Sequence, residues 1–120
     1  MAIKLHLMGT GFSSGQAGAL TGPGDTSLTA AGSSSADATT IGSHHNAVST
    51  TAASTGVIFA ASKYTTGDVA YVYNGGASTL TVYPPSGSTI DNTTSATIAT
   101  LKGIWFVWGT DTKIVSHKST

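Results

Sequence analysis

Apolar and polar residues alternate with a period of two along much of this chain, most clearly beyond Gly56. Val57, Phe59 and Ala61 mark one strand, Val69 to Tyr73 a second and Leu80 to Tyr83 a third. An Asn74-Gly75-Gly76-Ala77-Ser78 connection joins the second to the third. Pro84-Pro85 ends the third, because neither proline can donate to a sheet ladder, and a Pro-Pro-Ser-Gly turn follows. Ser88 to Asp91 and Ser95 to Leu101 read as short strands around an Asp91-Asn92 turn. Ile104-Trp105-Phe106-Val107-Trp108 is a dense apolar run, expected to be a strand buried on both faces. Gly109 to Thr112 then turns the chain into a last strand, Lys113 to His117.

The first half is written in smaller residues. Ile3, Leu5 and Leu7 alternate with Ala2, Lys4, His6 and Met8, a strand pattern ended by Gly9-Thr10-Gly11. Ser13 to Leu20 has the signals of a short helical turn, with Ser13 or Ser14 as N-cap and Gly22-Pro23-Gly24 as terminator. From Leu20 to Thr55 the side chains are small and polar; strands at Ser27 to Ala31 and Asn46 to Thr51 fit, but define little core. Strands separated by turn signals at intervals of about 8 to 12 residues predict a small all-β domain. The expected architecture is an antiparallel β-sandwich or jelly-roll-like barrel over residues 21–120, with an extended N-terminal arm at residues 1–20. No solenoid-type sequence repeat stands out.

Composition sharpens this picture. At 120 residues the chain is one domain. Ser, Thr, Gly, Ala and Val predominate, and the common helix formers are scarce, which favours strands. Five lysines balance five aspartates, and neither Arg nor Glu occurs. A neutral, Arg-free chain offers no basic stripe for phosphates, so no nucleic-acid partner is expected. No apolar run approaches the ~20 residues of a bilayer crossing, so no membrane partner is expected either. The first eight residues are too short for a signal-peptide apolar region, which points to synthesis in a cytoplasm. The absence of Cys removes disulfides and thiol chemistry. A surface so poor in charge is weakly protected against association, so partners are expected to cover much of it.

Candidate chemistry is thin. His44-His45 is the one adjacent histidine pair, but neighbours on a strand point to opposite faces and rarely chelate one ion. Gly9 to Gly15 is glycine-rich, yet lacks the Lys-Ser/Thr and βαβ context of a phosphate loop. Ser, His and Asp are all present, but their presence alone does not make a catalytic triad. Asp25, Asp68, Asp91 and Asp111 neighbour Gly, Asn or Thr, positions that suit turn-making through side-chain hydrogen bonds. No catalytic residues, cofactor or metal are therefore expected. Tyr71, Tyr73, Tyr83, Trp105 and Trp108 invite a sugar platform with Asn74 beside it. The competing expectation is that Trp105 or Trp108 fills the core while the tyrosines cover sheet edges or subunit contacts. Ile3, Leu5 and Leu7 are either a first strand of the domain or an arm that adds to a sheet edge on another chain.

The run from Gly67 to Ile90 has a distinctive frame: Gly-Asp, a strand, Asn-x-Gly-Ala-x-x-Leu-x-Val-Tyr-Pro-Pro-x-Gly, then Ile. In this it resembles a block found in capsid decoration (cement) proteins and related head-fibre proteins of tailed bacteriophages. Met8-Gly9-Thr10-Gly11-Phe12-Ser13, Gln16-Ala17, Leu28 to Ser33 and Asp37-Ala38 are similar to the N-terminal part of the same family. The likeness covers most of the chain; Asn92 to Ala96 departs from the family's usual Asn-Ala repeat.

The resemblance implies a structural virion protein: a homotrimer on the outer capsid surface, made in the host cytoplasm and bound to the major capsid protein lattice, which it stiffens. On that view Ile3, Leu5, Leu7 and Met8 form the capsid-contact arm. Tyr71, Tyr73 and Tyr83 are candidates for surface or trimer contacts. The alternative within the same resemblance is a head-fibre or tail-associated adhesin that binds host surface glycans through those tyrosines.

Overall fold

The computed structural model describes residues 24–118. Ten strands run in chain order: β1 (Asp25–Thr29), β2 (Thr39–Ile41), β3 (His45–Thr50), β4 (Gly56–Phe59) and β5 (Val69–Asn74), then β6 (Leu80–Tyr83), β7 (Thr89–Ile90), β8 (Ala96–Ile98), β9 (Lys102–Trp108) and β10 (Lys113–Lys118). No helix occurs among the described residues. The all-β class holds; the arm at residues 1–20 and the helical turn expected at Ser13 to Leu20 lie outside the described residues.

Two sheets form, ordered β1-β3-β5-β9-β10-β7 and β2-β4-β6-β8. From β1 to β6 the chain switches sheet at every connection, and each strand returns beside the one two places earlier. The neighbours β1, β3 and β5 are consequently parallel, as are β2, β4 and β6. This winding is a two-sided solenoid of about three coils, closed by antiparallel strands. β9 pairs antiparallel with β5, β10 with β9, and β8 with β6. β7 then adds in parallel to β10. The expected antiparallel sandwich or jelly roll is corrected accordingly. A hairpin reverses direction within one sheet, whereas a crossover to the opposite sheet and back restores it.

The segment from Gly67 to Gly87 shows how this happens. β5 and β6 do not pair with each other; they belong to different sheets. Asn74, fully buried, makes the corner between them. Its Oδ1 accepts from Thr51 Oγ1 at 2.8 Å and from the Gly76 N–H at 3.0 Å. Its Nδ2 donates to the carbonyls of Ser78 at 2.8 Å and Ile98 at 2.9 Å. Two of the amide's four bonds shape the β5–β6 connection, at Gly76 and Ser78, and the other two tie it to Thr51 and to Ile98 of β8. Beyond β6, the Ser88 N–H donates to the Pro85 carbonyl at 2.9 Å, with Gly87 at a φ of 85°. That left-handed position is where such a turn calls for glycine. Asp91 and Asn92 form the expected turn at φ values of 50° and 63°.

Inward-pointing residues of both sheets meet in one core. Val48, Val72, Phe106, Trp108 and Ile114 come from the six-stranded sheet, and Ile41, Val57, Phe59, Leu80, Val82 and Ile98 from the smaller one. Phe59 sits at its centre, edge-on to Tyr64, Phe106 and Trp108 at 5.4, 5.1 and 5.0 Å between ring centroids. Tyr64 stacks on Trp108 at 4.4 Å and donates its hydroxyl to the Ser43 carbonyl at 2.6 Å. Burial raises the Tyr64 pKa far above the usual phenol value. The dense run at 104–108 is not buried on both faces: Ile104, Phe106 and Trp108 are buried, while Trp105 and Val107 are half-buried on the other side. Strand alternation sends them outward.

Candidate functional site

The outer face of the six-stranded sheet collects the most distinctive surface chemistry. Along β5, Ala70, Val72 and Asn74 point inward, so Val69, Tyr71 and Tyr73 point outward. Pairing places His45 opposite Tyr71, Tyr71 opposite Trp105, and Trp105 opposite His117. A single row, His45-Tyr71-Trp105-His117, thereby crosses four strands. Tyr71 and Trp105 lie 4.8 Å apart at a 50° tilt, and His45 lies 5.3 Å from Tyr71. A second row, Val69-Val107-Val115, runs beside it. Val115 is 45 % exposed and the other two are half-buried. The Tyr71 ring lies over Gly103, where a Cβ would collide with its hydroxyl and ring. Glycine at this position lets the ring lie flat, and the face gains an apolar plate with no formal charge within these two rows.

Tyr83 is elsewhere. It points outward from β6, across from Ile58 of β4, on the outer face of the four-stranded sheet. A shallow cavity of about 420 Å³ opens there, walled by Ile58, Tyr83, Pro84 and Pro85. The three tyrosines thus divide between opposite faces and build no common platform. Asn74 cannot assist sugar binding, because it is buried and spends its amide on the β5–β6 corner. Neither Tyr71 nor Tyr73 covers a sheet edge, since β5 is an interior strand. Ile3, Leu5, Leu7 and Met8, expected to form a capsid-contact arm, and the Gly9 to Gly15 loop lie outside the described residues.

The histidine pair splits: His45 opens β3, and His44 precedes the strand. His44 Nδ1 lies 2.9 Å from the Val69 carbonyl and its ring meets Tyr64 edge-on at 5.9 Å, whereas His45 faces Tyr71. Among the described residues no group of three or more His, Cys, Asp or Glu is placed to hold a metal ion.

Four of the five aspartates accept from backbone N–H groups, whereas Asp25 bonds a side chain instead. Asp37 accepts from the Ser33 and Ser34 N–H groups at 3.1 and 2.9 Å, and Asp68 accepts from Thr65 N–H at 2.9 Å. Asp111 and Asp91 reach further, binding the N–H and hydroxyl of Thr66 and of Ser116 respectively. These donors favour the charged form and lower three carboxyl pKa values. The Ser34 N–H acts chiefly on Asp37, the Ser116 hydroxyl on Asp91 and the Thr66 hydroxyl on Asp111. Asp25 accepts from the Ser43 hydroxyl at 2.9 Å.

A second cavity, of about 440 Å³, lies over β8 and β9, where Lys102 and Lys118 flank an apolar floor that includes Ile98 and Ile104. The sequence put Tyr71 and Trp105 in one candidate platform but did not show that they would share a row with His45 and His117. The alternation at 104–108 already held part of that signal, since it sets Trp105 and Val107 on one face and Trp108 on the other.

No family model, curated protein or solved structure matches this chain.

Proposed function

We propose that this protein is a structural component of a bacteriophage virion: a homotrimeric decoration protein that binds the outer surface of the major capsid protein lattice and stabilises the head. The observation that carries the reading is the aromatic and aliphatic sheet face centred on Tyr71 and Trp105, on a chain of zero formal net charge. Apolar surface of this kind, contiguous and rimmed by polar residues, marks association with another macromolecule. The likeness of residues 67–90 to phage decoration proteins supplies the class of assembly.

Mechanically, weak contacts are sufficient. Three linked copies engage a lattice at high effective concentration once the first is seated, so avidity exceeds each contact. A protein that binds only the expanded shell stabilises that shell by mass action. In this proposal Ile3, Leu5, Leu7 and Met8 make the shell contact, and the β domain holds the copies together. The adhesin reading needs a glycan platform, and Tyr71, Tyr73 and Tyr83 do not share one face; Tyr71 with Trp105 is the pair it would have to use.

The test is co-sedimentation of purified protein with undecorated, expanded capsids. Saturable binding by the full chain, lost on deleting residues 1–8 from a chain that still folds, is the expected result. Undiminished binding by the truncated chain would remove the arm from the mechanism. Binding to host glycans, lost in Tyr71→Ala with capsid binding unchanged, would favour the adhesin.

A further inference from the structure

We infer that Asn74-Gly75 is a site of covalent self-modification, held closed by the folded chain and opened by unfolding, and that its reaction makes prolonged unfolding irreversible. This chemistry is independent of any partner.

An Asn-Gly pair is where a backbone nitrogen most readily attacks the side-chain amide before it, because glycine sets no side chain beside that nitrogen and leaves the backbone free to turn. The Gly75 nitrogen bonds to Asn74 Cγ and gives up its proton, the Cγ–Nδ2 bond breaks, and Nδ2 leaves as ammonia. The resulting five-membered imide adds water and opens at either carbonyl, to aspartate or to isoaspartate. Water is the only co-reactant, and nothing is oxidised or reduced. The chain has three asparagines, Asn46, Asn74 and Asn92, and glycine follows only Asn74.

In the folded chain each reacting group is occupied elsewhere. The Gly75 N–H donates to the Val48 carbonyl at 2.8 Å, which holds the proton that must leave and points the nitrogen at β3. Gly75 is itself exposed, so this bond guards the nitrogen where burial does not. Asn74 ends β5, paired with Val48 and Lys102, and extended backbone carries the following nitrogen away from the side chain. Nδ2, the leaving group, donates to the Ser78 and Ile98 carbonyls at 2.8 and 2.9 Å. The Thr51 hydroxyl and the Gly76 N–H do polarise the amide through Oδ1, but no free nucleophile stands by to use it.

Either product undoes the corner. Aspartate at this position sets a carboxylate oxygen against the Ser78 and Ile98 carbonyls, acceptor facing acceptor where the side chain is fully buried. Isoaspartate lengthens the main chain by a methylene beside the bond from the Leu101 N–H to the Asn74 carbonyl. A chain that reacts while unfolded therefore cannot rebuild the β5–β6 connection. When the reaction requires unfolding, folding slows it by the folding equilibrium constant, at least about 1,000-fold for a small domain.

Peptide mass mapping of the full chain, held at mildly alkaline pH with and without guanidinium chloride, tests this. In denaturant Asn74 is expected to convert first of the three asparagines. In the folded protein the exposed Asn92 should convert ahead of it, with the Asn74 rate lower by at least about 1,000-fold. On removal of denaturant, the refolded fraction should shrink in step with Asn74 conversion, and refolded chains, separated by size exclusion, should carry Asn74 intact. A hold in denaturant at mildly acidic pH, where the backbone nitrogen keeps its proton, should preserve the yield. Asn74→Asp, made directly, should fail to reach the parent's stability. Conversion of Asn74 as fast folded as unfolded, refolded chains rich in converted Asn74, or an Asn74→Asp variant as stable as the parent would each overturn the inference.

Discussion

Replacing Asn74 with Ala should be among the most damaging single changes in this domain. The side chain is fully buried and makes four hydrogen bonds, to Thr51, Gly76, Ser78 and Ile98. Truncation strands at least the Gly76 N–H and the Ile98 carbonyl, because both bonds are buried. A buried polar group left without a partner costs about 1–3 kcal/mol, so the two together cost roughly 2–6 kcal/mol. The Thr51 bond is buried as well, but its hydroxyl can rotate toward another acceptor, and the Ser78 bond is only part-buried. An expected loss of about 3–5 kcal/mol is a large fraction of the roughly 5–15 kcal/mol that stabilises a small domain. Thr51→Val removes one of the four bonds and should cost about 1 kcal/mol. Urea unfolding, followed by tryptophan emission and far-ultraviolet circular dichroism, measures both variants and their double-mutant coupling. The reasoning fails if Asn74→Ala loses less than about 1 kcal/mol, or if Asn74→Leu matches the parent, since either result would mean that apolar packing holds the corner.

Three further outcomes follow from the same structure. Phe59→Ala removes a ring that touches Tyr64, Phe106 and Trp108 and should lower stability by about 3–5 kcal/mol, with Trp108 emission moving to the red in the folded protein. Leu101 is 68 % exposed at a φ of 61°, so Leu101→Asn gives up little burial, eases a left-handed backbone position and should raise the melting temperature by a few degrees. Asp37, Asp91 and Asp111 have folded pKa values below the ordinary aspartate value. Their contribution is therefore complete above about pH 4 and is lost as pH falls through the folded values, so urea midpoints should be flat between about pH 7 and 5 and decline below about 4. Asp91→Asn should reduce that acid decline.

Several strands were legible in the sequence because alternation is a local signal. Val69 to Tyr73, Leu80 to Tyr83 and Lys113 to His117 coincide closely with β5, β6 and β10. β2 was not, since three residues, Thr39 to Ile41, are too few to show a period. Pairing direction was hidden for a different reason. A period of two tells which face a side chain occupies, not which way the neighbouring strand runs. The strands β1, β3 and β5 begin at residues 25, 45 and 69. Such uneven coils, the first built from Asp-Thr-Ser-Leu-Thr, leave no repeat to see. Asn74 was read as a turn residue; its burial depends on the Ser78 and Ile98 carbonyls, which only the assembled sheets bring to it. The row through Tyr71 and Trp105 likewise depends on the register between β5 and β9, residues more than thirty apart in the chain.

The proposed role as a shell-stiffening component is tested most directly by counting this chain in purified phage particles with isotope-labelled standards. The account predicts hundreds of copies per particle, in a fixed ratio to the major capsid protein and removable without opening the shell. Complete absence from particles, or only a few copies confined to the tail, would contradict it.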